Sequence, residues 1–167
     1  MKKSDNKTPY FDSLITLGSF HELFLESIRA ELGRRRIRNI SPLQCLTLYQ
    51  IGKSSLAGKS TLSLPDILLL YESFLSRTDL VYILRKLMKA GHIVHKHTET
   101  DKNRKIYALS EKGLALYDKL NDLFEDYLQQ MERSGLSIAD LKSLTKMTLK
   151  LQKVCKTIIL PSRGTKP

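Results

Sequence analysis

The stretch from Ser76 to Gly113 constrains this chain more than any other. Ser76-Arg77-Thr78-Asp79 opens a helix predicted from Arg77 to Ala90 and ended by Gly91. Its apolar residues Leu80, Ile83, Leu84, Leu87 and Met88 share one helical face and predict the buried stripe. Arg77, Thr78, Val81, Tyr82 and Arg85 are left on the outer face. A strand from His92 to His97 follows, then the charged tip Asp101-Lys102-Asn103-Arg104-Lys105, then a second strand from Ile106 to Leu109. Ser110-Glu111-Lys112-Gly113 opens the next helix. Helix, strand, basic tip, strand, helix is the order of a winged helix-turn-helix, in which a helix enters the major groove of DNA and the hairpin lies along the backbone.

The rest of the chain reads as helices. From Pro9 to about Leu32, apolar residues including Phe11, Leu14, Leu17, Phe24 and Ile28 recur at helical steps, and Gly33 is expected to break the pattern. Arg34-Arg35-Arg36-Ile37-Arg38 then forms a basic connector, read as a solvated turn rather than a phosphate clamp. Ser41-Pro42-Leu43-Gln44 has a capping serine, a first-turn proline and a Gln that completes a capping box; that helix is expected to stop at Gly52. A loop to Thr61 leads to Ser63-Leu64-Pro65-Asp66, which repeats the capping pattern before a short apolar helix from Ile67 to about Glu72. After the hairpin, Leu116, Leu120, Leu123, Phe124, Tyr127 and Met131 mark a long helix ended by Ser134-Gly135. Ser137-Ile138-Ala139-Asp140 caps a last one, carrying Leu141, Leu144, Leu151, Val154 and Ile158.

Charge fits a nucleic-acid partner. Lys and Arg number 28 against 17 Asp and Glu, a net charge of +11 that attracts phosphate polyanions. Hydrophobic residues make up 41% of the chain, enough for a core and too many for a disordered one. Polar residues follow Met1-Lys2-Lys3 where an export signal would be apolar, and the longest apolar run, Ile67 to Tyr71, is too short to span a bilayer. A cytoplasmic location with no membrane partner is expected.

Asp101 followed by Leu109-Ser110-Glu111-Lys112-Gly113 resembles the wing of the MarR family of bacterial transcription regulators, whose wing closes on Leu-Thr/Ser-x-x-Gly. The resemblance covers about Leu43 to Leu120. It departs at Asn103, where the family usually has arginine two residues after the wing aspartate, so Lys102, Arg104 or Lys105 is expected to carry the charge there. The resemblance implies a homodimer joined through terminal helices and a small aromatic effector bound between the dimer and DNA-binding regions. Phe20, Phe24 and Tyr49 are the candidates for that pocket, with core packing as their other role. Some family members sense peroxide with a cysteine near the start of the first helix, and this sequence has none before Cys45.

Three other signals are weaker. Gly52 to Thr61 contains Gly-Lys-Ser after an earlier glycine, but five residues separate Gly52 from Gly58 where a phosphate loop needs four. His95, His97 and Glu99 fall on one face of the first wing strand, a facet better explained by an exposed polar strand than by a metal. Cys45 sits among apolar residues and reads as a small buried thiol, and Cys155 has neither metal nor disulfide spacing with it. No nucleophile–base constellation is visible, so no catalytic residue, metal or cofactor is expected.

The expected fold is mainly α: a winged helix-turn-helix with a two- or three-stranded wing sheet, plus terminal dimerisation helices. Residues 1–8 and 161–167 are expected to be flexible ends. The expected dimerisation regions are 9–38 and 114–160, flanking a DNA-binding domain at 39–113. The expected function is a non-enzymatic transcription regulator of MarR type, a homodimer on a pseudo-palindromic site in double-stranded DNA. The alternative is a non-regulatory replication or architectural protein built on the same winged helix.

Overall fold

A computed structural model describes residues 7–56, 62–70, 76–97 and 105–159. Its elements are α1 (Lys7–Arg34), α2 (Pro42–Leu56), β1 (Leu62–Ser63), α3 (Leu64–Leu70), α4 (Arg77–Lys89), β2 (Ile93–His97), β3 (Lys105–Leu109), α5 (Glu111–Arg133) and α6 (Ile138–Ile159). The strands form one antiparallel sheet in the order β1-β3-β2. This is the mainly helical winged-helix architecture the sequence predicts, with the three-stranded form of the sheet.

Local chemistry sets most boundaries. In α2 the Gln44 amide nitrogen donates to Ser41 Oγ while Ser41 N–H donates to Gln44 Oε1, the reciprocal bonds of a capping box. Ser63 with Asp66 opens α3, and Ser137 with Asp140 opens α6, in the same way. The Ser137 hydroxyl and N–H hold the Asp140 carboxyl below its ordinary value. α3 begins at Leu64 rather than Ile67, because Pro65 stands in the first turn, where a missing N–H breaks no helical bond.

Two glycines act differently from the sequence expectation. Gly33 lies within α1, and the chain turns at Arg36, which adopts φ 55°. There Arg36 N–H donates to the Gly33 carbonyl at 3.1 Å and Ile37 N–H to that of Leu32 at 2.9 Å, a Schellman closure of the kind usually given to glycine. Ile37 packs onto the core that contains Leu32, supplying the apolar contact that accompanies this turn. Gly52 does not end α2, which continues to Leu56. A Cβ there would collide with the Tyr117 ring and come within 2.9 Å of Leu109 Cδ1, so the glycine lets α5 and β3 close on α2.

The core sits where these elements meet. Leu80, Ile83, Leu84 and Leu87 of α4 are buried with Cys45, Leu48 and Ile51 of α2 and Leu116, Leu120 and Leu123 of α5. Met88, expected in the same stripe, is only half-buried at its edge. Burial pushes the Cys45 thiol up to about 12, because the thiolate would lose its hydration. Ser110 joins α5 to the corner after α4. Its N–H donates to the His92 carbonyl at 3.0 Å, and its hydroxyl accepts from Gly113 N–H at 3.0 Å and donates to the Gly91 carbonyl at 2.6 Å. A Cβ on Gly113 would land on the His92 carbonyl oxygen.

The outer helices are less covered. Among the described residues, α6 contributes no buried hydrophobic residue, and α1 contributes Ile28 and Leu32, near its end. Ile15 (67% exposed), Leu23 (69%) and Met147 (57%) stand open. Among the described residues, no helix is long and apolar enough to cross a membrane.

Two outcomes test this packing. Alanine raises helix propensity over glycine by about 1 kcal/mol, so Gly33→Ala, which meets open space, should stabilise the chain by up to that amount. Gly113→Ala should instead lose about 1–3 kcal/mol, because the methyl must displace backbone. Urea unfolding at one protein concentration reads both, and a stabilised Gly113→Ala would contradict the close approach. In a Cys155→Ser variant, a thiol reagent at pH 8 should find no reactive group until denaturant exposes Cys45. Rapid labelling of the native protein would mean that α2 is misplaced.

Candidate nucleic-acid interface

α4 is held at both ends. Ser76 Oγ accepts from Asp79 N–H at 3.1 Å and donates to the Asp79 carboxylate at 2.6 Å, so the one acid in the first turn is engaged in the cap. At the other end Gly91, at φ 75°, donates to Met88, and His92 N–H donates to Leu87. This second Schellman closure turns the chain into β2. With the stripe of Leu80, Ile83, Leu84 and Leu87 buried, the opposite face points to solvent.

That face carries four of the five expected reader side chains in the open: Arg77, Thr78, Tyr82 (58% exposed) and Arg85. Val81 is half-buried at its border. Lys86, not singled out from sequence, lies one helical turn beyond Tyr82 with its ammonium 5.3 Å from the ring centroid. The four-residue spacing of Tyr82 and Lys86 was the available signal. Burial raises the Tyr107 phenol above its ordinary value, and the charge of Arg85 opposes that rise. The charge on α4 is therefore felt at Tyr107 of β3. In chemical terms the face offers guanidinium, hydroxyl and ammonium donors suited to base edges and phosphates.

The hairpin is described up to its tip. Its ladder runs from Ile93 opposite Leu109 to His97 opposite Lys105. Lys105, read as part of the tip, is thus the first residue of β3, and its side chain is exposed. His92, read as the first residue of the strand, precedes it. Lys102, Asn103 and Arg104, with Asp101 and Glu99, lie outside the described residues. His95 is exposed on β2. Among the described residues no group of three or more His, Cys, Asp or Glu could hold a metal.

The connector Arg34 to Arg38 divides by partner. Arg35 bridges Glu31 (3.1 Å) and Asp126 of α5, and Arg34 pairs with Glu31, which leaves Arg36 and Arg38 exposed at the turn. These partners lower the Glu31 pKa against the desolvation that would raise it.

The effector candidates separate. Phe20 and Phe24 stack at 6.2 Å and line a cavity of about 340 Å³ between α1 and the end of α5, with Leu23, Tyr127 and Met131. Tyr49 is elsewhere. Its ring stacks on Tyr117 at 5.1 Å and meets Phe124 edge-on at 4.7 Å, and its hydroxyl donates to Asn121 at 3.2 Å.

No family model matches the sequence, and no curated protein matches it. Solved structures do. AbsC, a MarR family transcriptional regulator from Streptomyces coelicolor, superposes with a TM-score of 0.68 at 13% identity, over 93% of this chain and 98% of that one. FabT of Streptococcus pneumoniae, solved in complex with DNA, gives 0.63 at 19% identity, over 89% and 99%. The S. aureus MepR–DNA complex gives 0.62 at 22% identity, over 89% and 97%. At these identities the likeness concerns the path of the chain, and it extends over nearly the whole length of each neighbour. The chain has the fold of the MarR-type winged-helix regulators.

Proposed function

We propose that this protein is a homodimeric, sequence-specific DNA-binding transcription regulator of MarR type. The observation that carries the reading is the outer face of α4, where Arg77, Thr78, Tyr82 and Arg85 are exposed while the opposite stripe is buried beneath them. Two solved proteins of the same fold, FabT and MepR, are bound to DNA. The net charge of +11 supports the same partner. Residues 39–113 form the DNA-binding domain in this reading, with Lys102, Asn103, Arg104 and Lys105 of the wing against the backbone.

The dimer is supported by apolar surface that one copy leaves open. Tyr10, Phe11, Ile15 and Leu23 of α1 and Leu144, Met147 and Val154 of α6 are each exposed. Obligate interfaces are apolar in this way. Residues 9–38 and 114–160 would form the paired region. The cavity at Phe20 and Phe24 is the place for a small aromatic effector, and Tyr49 serves packing.

Binding measurements on a selected site and on random DNA test the reader. Arg85→Ala and Thr78→Ala should each lose about 1–3 kcal/mol on the selected site and little on random DNA. Arg104→Ala should weaken both and reduce the salt slope by about one unit per lost phosphate contact. Unchanged affinity and preference in the α4 variants would remove α4 as the reader. Sedimentation at micromolar concentration should report a dimer, and Met147→Glu should dissociate or unfold it; a well-folded monomer of the unaltered chain would overturn the pairing.

A further inference from the structure

A second basic surface lies away from the outer face of α4. It is a hollow of about 300 Å³ where the α1–α2 turn, the α4–β2 corner and the first turns of α5 meet. Arg36 and Arg38 enter it from the turn, and Lys112 and Lys119 from α5. Lys112, Leu116 and Lys119 recur at spacings of four and three residues, which puts them on one helical face. Ile37 and Leu116 give the hollow an apolar part, His92 lines it, and among the described residues no carboxylate does.

The parts are held in place by contacts already described. Arg36 and Asn39 both adopt left-handed backbone, at φ 55° and 63°, which fixes the course of the turn. Ser110 ties the start of α5 to the carbonyls of Gly91 and His92. The cations themselves are uncompensated. Arg29, Arg34 and Arg35 each pair with a carboxylate. Among the described residues Arg36, Arg38 and Lys119 have no ion pair, and Lys112 Nζ donates to the Ala90 carbonyl at 2.7 Å. The Nδ1 atom of His92 is buried without a hydrogen-bond partner among the described residues. Burial, reinforced by the Lys112 charge, holds the His92 imidazole below its ordinary pKa.

Four like charges around one hollow repel each other, and an anion of two or more charges relieves all of them at once. Guanidinium groups present planar forks that match phosphate oxygens, and the lysines add point charge. We propose that this hollow binds a small, multiply charged phosphate-bearing anion through Arg36, Arg38, Lys112 and Lys119. The backbone of duplex DNA offers the same chemistry, but the position favours a free anion. The hollow lies at the His92 end of the hairpin, whereas the tip end is the His97–Lys105 pair. Four steps of extended strand, about 13 Å at ~3.3 Å per residue, separate Ile93 from that pair. The site is also concave, unlike a ridge that could follow a groove. It stands whether or not the chain reads DNA.

The test uses the full chain without DNA, with sodium tripolyphosphate as the probe at constant ionic strength. Calorimetry should give saturable binding of one anion per chain. Among the ring resonances of the chain's 4 histidines, that of His92 should move with the same saturation while those of His21 and His95 stay. The double variant Arg38→Ala, Lys119→Ala removes two exposed side chains and should weaken binding on the order of tenfold with an unchanged far-UV spectrum. Arg77→Ala on α4 should leave it intact. Non-saturating shifts spread over all histidines would overturn the site, as would equal losses in the α4 variant. A double variant that keeps tripolyphosphate but loses affinity for DNA would also overturn it, and would make the hollow a clamp on the DNA backbone.

Discussion

The carbonyl oxygen of His92 is where α4, the hairpin and α5 are joined. It follows the left-handed turn at Gly91 that ends α4, it precedes the first ladder pair of the hairpin, and it accepts the N–H of Ser110, which opens α5. Gly113 has no side chain because that oxygen occupies the space a Cβ would need. The backbone hydrogen bonds in this corner are directional, and they set how α4, the hairpin and α5 meet. The outer face of α4 is therefore positioned by the same few atoms that start the long helix leading toward α6.

Charge follows the same division. The arginines at the end of α1 are partly spent on structure: Arg35 spans Glu31 and Asp126 and so fastens the first helix to the fifth. These pairs are partly exposed and add little stability individually, but they fix which cations remain free. Among the described residues, exposed cations without an ion pair include those along α4 and those around the hollow beside His92. Two separated basic surfaces on one small domain give a polyanion two different ways to bind. One is an exposed helix face suited to a groove, the other a concavity suited to a compact ligand.

Much of this was legible in the sequence because it rests on local chemistry. A Ser followed three residues later by Gln or Asp marked the starts of α2, α3, α4 and α6, and the three- and four-residue steps of Leu80, Ile83, Leu84 and Leu87 gave the buried face of α4. What was misread rests on contacts distant in sequence. Gly52 looks like a helix stop until Tyr117 and Leu109 are seen against it. Gly33 looks like a break because glycine is the usual left-handed residue, yet Arg36 takes that conformation with Ile37 anchored in the core. The two-residue strand β1 has no periodicity of its own and exists only through its pairing with Ile106 and Tyr107. Phe20, Phe24 and Tyr49 were grouped by residue type, and folding puts Tyr49 with Tyr117 and Phe124 instead.

The central claim is that the exposed face of α4 reads DNA sequence as one half of a two-fold pair. Nuclease footprinting on genomic fragments captured by the purified protein tests it most directly. The account predicts protection of two related half-sites on one face of the duplex, centred about one helical turn (~10 base pairs) apart. Uniform protection of unrelated fragments, with no recurring half-site, would contradict it and leave a winged helix that binds DNA without reading it.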